Sequence, residues 1–239
     1  MAGELAGKVV LIGGATGALG SAVAHEFARN TEAGLALTCR SDDKLVQLVE
    51  VIGRPAQALA VTADVTQVEG VGKLVDAVMD HFGRLDVLLN TVGGWSGGKP
   101  VNETSVEQWE RMLTLNLRSA FLLSRAVLPG MLKSGWGRIV HVSSKTAVAP
   151  RARQAGYAVA KMGVITLTET IAAEVKGSGV TANVILPSII DTPANRKGMP
   201  KANPGKWVKP AHIASAMRFL CSDAAVSING TSVPIYGAV

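Results

Sequence analysis

Lys8-Val9-Val10-Leu11-Ile12-Gly13-Gly14-Ala15-Thr16-Gly17-Ala18-Leu19-Gly20 is the stretch on which the reading of this chain turns. Val9 to Ile12 are four apolar residues in a row, two of them Val, the pattern of a buried strand. Glycines follow at 13, 14, 17 and 20. Ser21 to Arg29 then has helical character, with apolar residues at Leu19, Val23 and Phe27. Glycine lets the chain turn tightly and lets phosphate oxygens approach the backbone. The N-terminus of the helix offers free N–H groups and the positive end of its dipole. The stretch is therefore a candidate pyrophosphate site. Its spacing is not G-x-G-x-x-G, so the usual dinucleotide fingerprint is unmatched. The plain alternative is a βα turn that needs glycine for packing alone. Its place at the head of an alternating chain favours the phosphate reading.

The chain has 239 residues, enough for one large α/β domain or at most two small ones. Hydrophobic residues make up 48% and charged residues 18%, a globular composition and not a disordered one. The formal charge of +6 admits a nucleic acid, an anionic membrane or an anionic cofactor. The basic residues are scattered and do not interleave with aromatics, which argues against nucleic acid. Cys39 and Cys221 are too few for a disulfide framework or a zinc cluster, and four unclustered His residues also argue against a metal site. There is no charged-then-apolar leader and no apolar run near 18 residues, so the expectation is a soluble cytoplasmic protein.

Further along, Leu35 to Cys39 reads as a second strand, followed by Arg40-Ser41-Asp42-Asp43 and a helix over about Lys44 to Val51. In a dinucleotide site the end of this strand meets the adenosine ribose. An acidic residue there would bind the 2′-hydroxyl, and an Arg would accommodate a 2′-phosphate. Cys39 and Arg40 occupy the position, which favours NADP over NAD; Asp42 and Asp43 come later and suit a helix cap. Ala58 to Val61 reads as a third strand, a helix stripe runs from Val68 to Phe82, and Leu85 to Leu89 is a fourth strand. The loop from Gly93 to Pro100, with Trp95 and four glycines, is a candidate pocket wall. Ser105 and Gln108 form a capping box for a helix expected to end near Leu128, before Pro129-Gly130.

Gly137 to Val142 is a fifth strand ending in Ser143-Ser144. A helix follows from about Gly156, then a sixth strand from Val180 to Leu186. An irregular lid is expected from Ile189 to Val208, a last helix over Pro210 to Cys221 and a final strand over Thr231 to Tyr236. Seven strand segments alternating with helices imply a Rossmann-like, doubly wound parallel sheet in three αβα layers, with residues 1–239 as one domain.

Tyr157 and Lys161 lie four apart, on one face of their helix. Carbonyl reduction needs a proton donor beside the carbonyl oxygen. A Tyr phenol, near pKa 10, serves better when a cationic Lys favours its ionised form. A Ser hydroxyl can hold the carbonyl oxygen. Ser144, Tyr157 and Lys161 supply all three at the carboxyl side of the sheet.

These residues make the chain resemble a compact, single-domain short-chain dehydrogenase/reductase over nearly its whole length. The family's Tyr-x-x-x-Lys is Tyr157-Ala158-Val159-Ala160-Lys161, its catalytic Ser is Ser144, and its helix Asn is Asn116, which helps anchor a proton relay. The resemblance implies a carbonyl–alcohol oxidoreductase using NADP(H), with Tyr157 as general acid and base and Lys161 also on the nicotinamide ribose. Gly14, Thr16, Gly17, Ala18 and Leu19 would hold the pyrophosphate, with Arg40 and Ser41 on the 2′-phosphate. Asp64 and Val65 would meet the adenine. Asn90, Val92, Gly93, Pro187, Ile190 and Thr192 would lie along the rest of the cofactor, and Tyr157 touches it too.

Three places depart from the family. Thr-Gly-x-x-x-Gly-x-Gly becomes Gly13-Gly14-Ala15-Thr16-Gly17-Ala18-Leu19-Gly20, which resembles the variant of extended members. Asn-Asn-Ala-Gly becomes Asn90-Thr91-Val92-Gly93, and Pro-Gly becomes Pro187-Ser188. A non-catalytic dinucleotide sensor is the alternative class, against which the intact Ser144, Tyr157 and Lys161 argue. The expected partners are a small carbonyl or alcohol substrate and further copies of the chain, as a dimer or tetramer built through the two long helices.

Overall fold

The structure, a computed structural model, describes residues 5–54 and 57–238. Val9–Gly13 forms β1, and its side chains alternate between two cores. Val10 and Ile12 join one, Val9 and Leu11 the other. Six further strands lie parallel to it: β2 (Gly34–Cys39), β3 (Ala58–Thr62), β4 (Val87–Asn90), β5 (Gly137–Val142), β6 (Val180–Pro187) and β7 (Ser232–Ile235). The order across the sheet is β3-β2-β1-β4-β5-β6-β7. This is the doubly wound parallel sheet expected from the alternation.

Helices cover both faces. On one side α1 (Ala18–Asn30), α2 (Asp42–Ile52) and α9 (Pro210–Cys221) bury Phe27, Leu45 and Met217 against the strands. On the other, α3 (Val68–Phe82), α5 (Ser119–Ser134) and α7 (Ala155–Glu174) bury Leu74, Leu123 and Ile171. Three shorter helices complete the set: α4 (Val106–Leu113), α6 (Lys145–Val148) and α8 (Pro193–Gly198). Parallel strands buried on both faces read as continuous apolar runs, which is why β1 and β4 stand out in the sequence. The chain leaves β1 toward β2 on one side and later returns to β4 on the other. That reversal opens a crevice at the carboxyl ends of β1 and β4, where a ligand of such a sheet sits.

Three stretches differ from the expectation. Pro129 does not end its helix: α5 continues to Ser134 and stops at Gly135, which has φ +67°. Proline removes one helix bond, to the carbonyl of Arg125. Both Pro129 and Arg125 are exposed, so the missing bond lies on the solvent side of the helix. Helix α2 begins earlier than Lys44, taking Asp42 and Asp43 into its first turn. Asp42 accepts a hydrogen bond from Thr62 Oγ1 at 3.0 Å and is no N-cap. The stretch from Ile189 to Val208 is more ordered than an irregular lid. It holds α8 and a 3₁₀ turn at Pro204–Lys206, and its ends pair through Ile190 and Val208.

Among the described residues no helix is long and apolar enough to cross a membrane, and no group of His, Cys, Asp and Glu could hold a metal ion. Neither Cys39 nor Cys221 forms a disulfide among the described residues.

Candidate active site

The glycine turn is stitched to its neighbours by backbone bonds and by Thr91, whose hydroxyl donates to the Gly13 carbonyl at 2.7 Å. The N–H groups of Gly14 and Ala15 both donate to the Thr38 carbonyl at 3.0 Å. Gly14 has φ +74°, and a Cβ there would stand 3.1 Å from the Val92 nitrogen. A Cβ on Gly20 would fall 2.1 Å from the Gly14 oxygen. Packing therefore accounts for Gly14 and Gly20. Gly17 is the N-cap of α1 and brings no side chain to cap it. The first N–H groups of α1 are thus left for water or an anion, beside the positive end of the helix dipole.

In front of this turn lies a cleft of about 540 Å³. It gathers nine of the residues expected to hold a cofactor: Gly14, Thr16 and Gly17 at the turn, Arg40 and Ser41 after β2, Asp64 and Val65 after β3, Val92 and Gly93 after β4. Asp64 accepts hydrogen bonds from the Thr66 hydroxyl at 2.7 Å and the Thr66 N–H at 3.0 Å. These bonds, with a smaller pull from Arg40, hold its carboxyl below the usual range against the opposing effect of burial.

Sequence reasoning did not single out Thr38, Lys44, Thr66, Thr91 or Leu115, which also line the cleft. Lys44 had a signal: it stands four residues after Arg40, in the first turn of α2. Neither cation makes a salt bridge with the described residues. Thr38 is fully buried and its Oγ1 has no hydrogen-bond partner among them. An orphaned hydroxyl, an uncapped helix and two unbridged cations around one cleft suit a large polyanionic ligand with polar sugar edges. A dinucleotide fits that description.

Other expected residues lie off the cleft lining. Ala18 and Leu19 form the first turn of α1. Asn90, 3% exposed, is beneath the floor, and its Oδ1 accepts the Val92 N–H at 3.1 Å. Pro187 ends β6, the Ile190 carbonyl accepts a bond from Asn195 at 2.8 Å, and Thr192 caps α8 through the Asn195 N–H at 3.1 Å.

The four catalytic candidates converge where β4 and β5 end. Ser144 follows β5, N-caps α6 by accepting the Thr146 N–H at 3.1 Å, and hydrogen-bonds Tyr157. Tyr157 stands in the first turn of α7, and Lys161 one turn on. Lys161 is 4% exposed, and its Nζ donates to the Val142 carbonyl at 2.8 Å. Burial pushes the Lys161 ammonium down to about 8, so it remains protonated at neutral pH. Asn116 sits in a π-helical turn, Thr114–Arg118, between α4 and α5, and is 1% exposed. Its Oδ1 accepts the Gly94 N–H at 3.1 Å, and its Nδ2 donates to the carbonyls of Gly94 and Met112, each at 3.0 Å. A Cβ on Gly93 would meet Asn116 Oδ1 at 2.9 Å and Lys161 Nζ at 3.0 Å, so both polar atoms crowd that one glycine.

One expectation is reversed. Lys161 does not hold the Tyr157 phenol below its usual range; burial pushes the phenol up, and the bond from Ser144 recovers only part of the rise. The physical reason is placement. The ammonium is turned to the Val142 carbonyl and lies 5.9 Å from the centroid of the Tyr157 ring.

Comparison with known proteins agrees with this geometry. A family model described as short chain dehydrogenase matches residues 8–203. D-threitol dehydrogenase of Mycolicibacterium smegmatis is 32% identical over 98% of this chain and 93% of its own length. The 3-oxoacyl-[acyl-carrier-protein] reductase FabG of Vibrio cholerae is 33% identical over 99% of this chain and 98% of its own. Glucose 1-dehydrogenase 2 of Bacillus subtilis is 29% identical over 99% and 96%. With the sheet order, the crevice and the matched span in agreement, the chain belongs to the short-chain dehydrogenase family, oxidoreductases that transfer hydride with a nicotinamide dinucleotide.

Proposed function

We propose that this protein is a single-domain, NADP(H)-dependent oxidoreductase that interconverts a carbonyl and an alcohol, with Tyr157 as general acid and base. The observation that carries the reading is the meeting of Ser144, Tyr157 and Lys161 at the end of β5, beside the cleft. Bound in the cleft, the dinucleotide would supply hydride to the carbonyl carbon, or take it back from the alcohol.

Burial keeps Tyr157 protonated, the form that can give a proton to the carbonyl oxygen. Ser144 hydrogen-bonds the same oxygen as negative charge develops there. The charge left on the Tyr157 oxygen is favoured by its hydrogen bond with Ser144, and the proton returns to Tyr157 by way of Lys161. Asn116 spends its carboxamide on Gly94 and Met112. Its part is to hold the Gly93–Gly94 backbone beside Lys161.

The preference for NADP(H) rests on Arg40 and Lys44, two cations on one lip of the cleft. Asp42, the nearest carboxylate in sequence, is turned to Thr62. Assembly is proposed through α5 and α7. Phe121 and Leu132 on α5, and Val159 and Met162 on α7, are exposed apolar side chains. Helix α7 is apolar on most sides, as a helix covered by a partner is.

The test combines binding and turnover. NADPH should bind more tightly than NADH, and one of a panel of polyols, sugars and 3-oxoacyl thioesters should be turned over. On that substrate, Tyr157→Phe should still bind NADPH but lose kcat by about 100-fold or more. A Tyr157→Phe protein that works at the wild-type rate would end the assignment.

A further inference from the structure

His141, on β5, is fully buried and is not among the residues proposed to touch cofactor or substrate. Both of its ring nitrogens are engaged. Nε2 lies 2.9 Å from Ser124 Oγ, and Nδ1 lies 3.4 Å from Asn90 Nδ2. Ser124 settles which nitrogen carries the proton. Its hydroxyl has one hydrogen, directed to the Ala120 carbonyl at 2.8 Å. It can therefore only accept from the ring, so Nε2 holds the proton and Nδ1 is left as an acceptor for the Asn90 amide.

The chain of bonds continues toward the cleft. With its Nδ2 turned to His141, Asn90 offers Oδ1 to the Val92 N–H at 3.1 Å. The Val92 nitrogen is the atom that faces Gly14 of the glycine turn, and its side chain packs on Gly13. Val92 leads into Gly93 and Gly94, the backbone held by Asn116 and crowded by Lys161. Next to His141 on β5, the Val142 carbonyl holds the Lys161 ammonium. One polar line thus runs from α5 through β5 and β4 to the cleft floor.

We propose that His141 is a positioning residue, which orients Asn90 and through it fixes the Val92–Gly94 floor against the glycine turn and Lys161. The inference rests on the reading of the cleft as the dinucleotide site. Burial, with the nearby Lys161 charge adding to it, pushes the imidazole down to about 4, so the ring is neutral and keeps its acceptor at working pH. A carboxamide at this position could also accept from Asn90. A hydrocarbon could not, and the Asn90 amide would be left free to turn its oxygen away from Val92.

The test uses NADPH dissociation constants, which need no substrate, together with melting temperatures. His141→Leu should bind NADPH at least about tenfold more weakly, since it removes an acceptor from a buried amide. His141→Asn, which keeps an acceptor near the place of Nδ1, should restore binding to within about twofold, even where its melting temperature stays low. A purely structural histidine predicts otherwise: both variants would melt earlier and bind as wild type does, which would overturn the proposal. Leu and Asn variants that bind equally weakly would overturn it as well. If His141→Leu does not fold, nitrogen-15 NMR of the wild-type imidazoles decides. A neutral Nε2–H ring supports the line of bonds, and an Nδ1–H ring refutes it. A wild-type protein that binds neither NADPH nor NADH overturns the dinucleotide reading and this inference with it, whereas normal wild-type binding with an unaffected Leu variant overturns the inference alone.

Discussion

Raising the pH above neutrality should stabilise this protein through Lys161. In the unfolded chain the ammonium titrates at its ordinary 10.5, and in the fold burial brings it down to about 8. Between those values the unfolded chain holds a proton that the folded chain has released. Stability therefore rises with pH across the window. It is fully present above 10.5 and is lost as pH falls through the folded value near 8. Each unit of displacement corresponds to about 1.4 kcal/mol. Two other groups bound the usable range. His141 titrates far below neutrality, so starting at pH 7 excludes it. The Tyr157 phenol has an ordinary value of 10.0 and is raised in the fold, so it would oppose the gain at higher pH. From pH 7 to about pH 9.5 the Lys161 contribution is then about 2 kcal/mol.

The comparison protein is Lys161→Met. It removes the charge and leaves the Val142 carbonyl without its 2.8 Å donor, a loss of about 1–3 kcal/mol that does not depend on pH. The difference between the two proteins at one pH mixes both effects. The change in that difference with pH isolates the proton. Urea unfolding at pH 7 and about 9.5, without dinucleotide, should show wild type gaining about 2 kcal/mol relative to the variant at unchanged m-value. Parallel profiles would show that Lys161 keeps an ordinary proton affinity in the fold, and the account of its burial would fail.

Two further outcomes follow from the cleft and the helices. Arg40→Ala and Lys44→Ala should each weaken NADPH by about 1.5–3 kcal/mol, roughly tenfold or more, and leave NADH nearly unchanged; equal losses for both dinucleotides in a titration would remove the 2′-phosphate assignment. Met162→Glu, at an exposed site on α7, should shift the assembly toward smaller species without lowering the melting temperature of the monomer, and light scattering showing the same mass for both proteins would exclude that face as the contact.

The elements that sequence located best are those whose periodicity changes sharply at a glycine or proline. β1 and α1 flank the glycine turn, and α9 begins at Pro210 and ends at Cys221 as expected. Pro129 misled because a broken helix bond matters only where its carbonyl is dry, and exposure is a tertiary property. The same limit applies to Tyr157. Its partner Lys161 is visible at i+4, but burial of the phenol and the direction of the ammonium are decided by β5, which is distant in sequence. Lys44 was legible in principle, four residues past Arg40 in the first turn of the next helix. Thr38 and His141 were not. A buried hydroxyl and an imidazole between a helix and a neighbouring strand have no signature in a strand's apolar run.

These residues also explain why so many costly groups lie close together. A strand interior offers no spare backbone partners, because its neighbours use them all. A strand end does. The Val142 carbonyl at the end of β5 is open to Lys161, the Val92 N–H just past β4 to Asn90, and both backbone groups of Gly94 to Asn116. Left unpaired, the buried ammonium and the two carboxamides would cost about 1–3 kcal/mol or more each. The carboxyl edge is thus where the fold can hold a charged and polar set dry and oriented. The glycine turn ends β1 at that same edge, which brings the uncapped end of α1 and the residues proposed to handle the proton to one crevice.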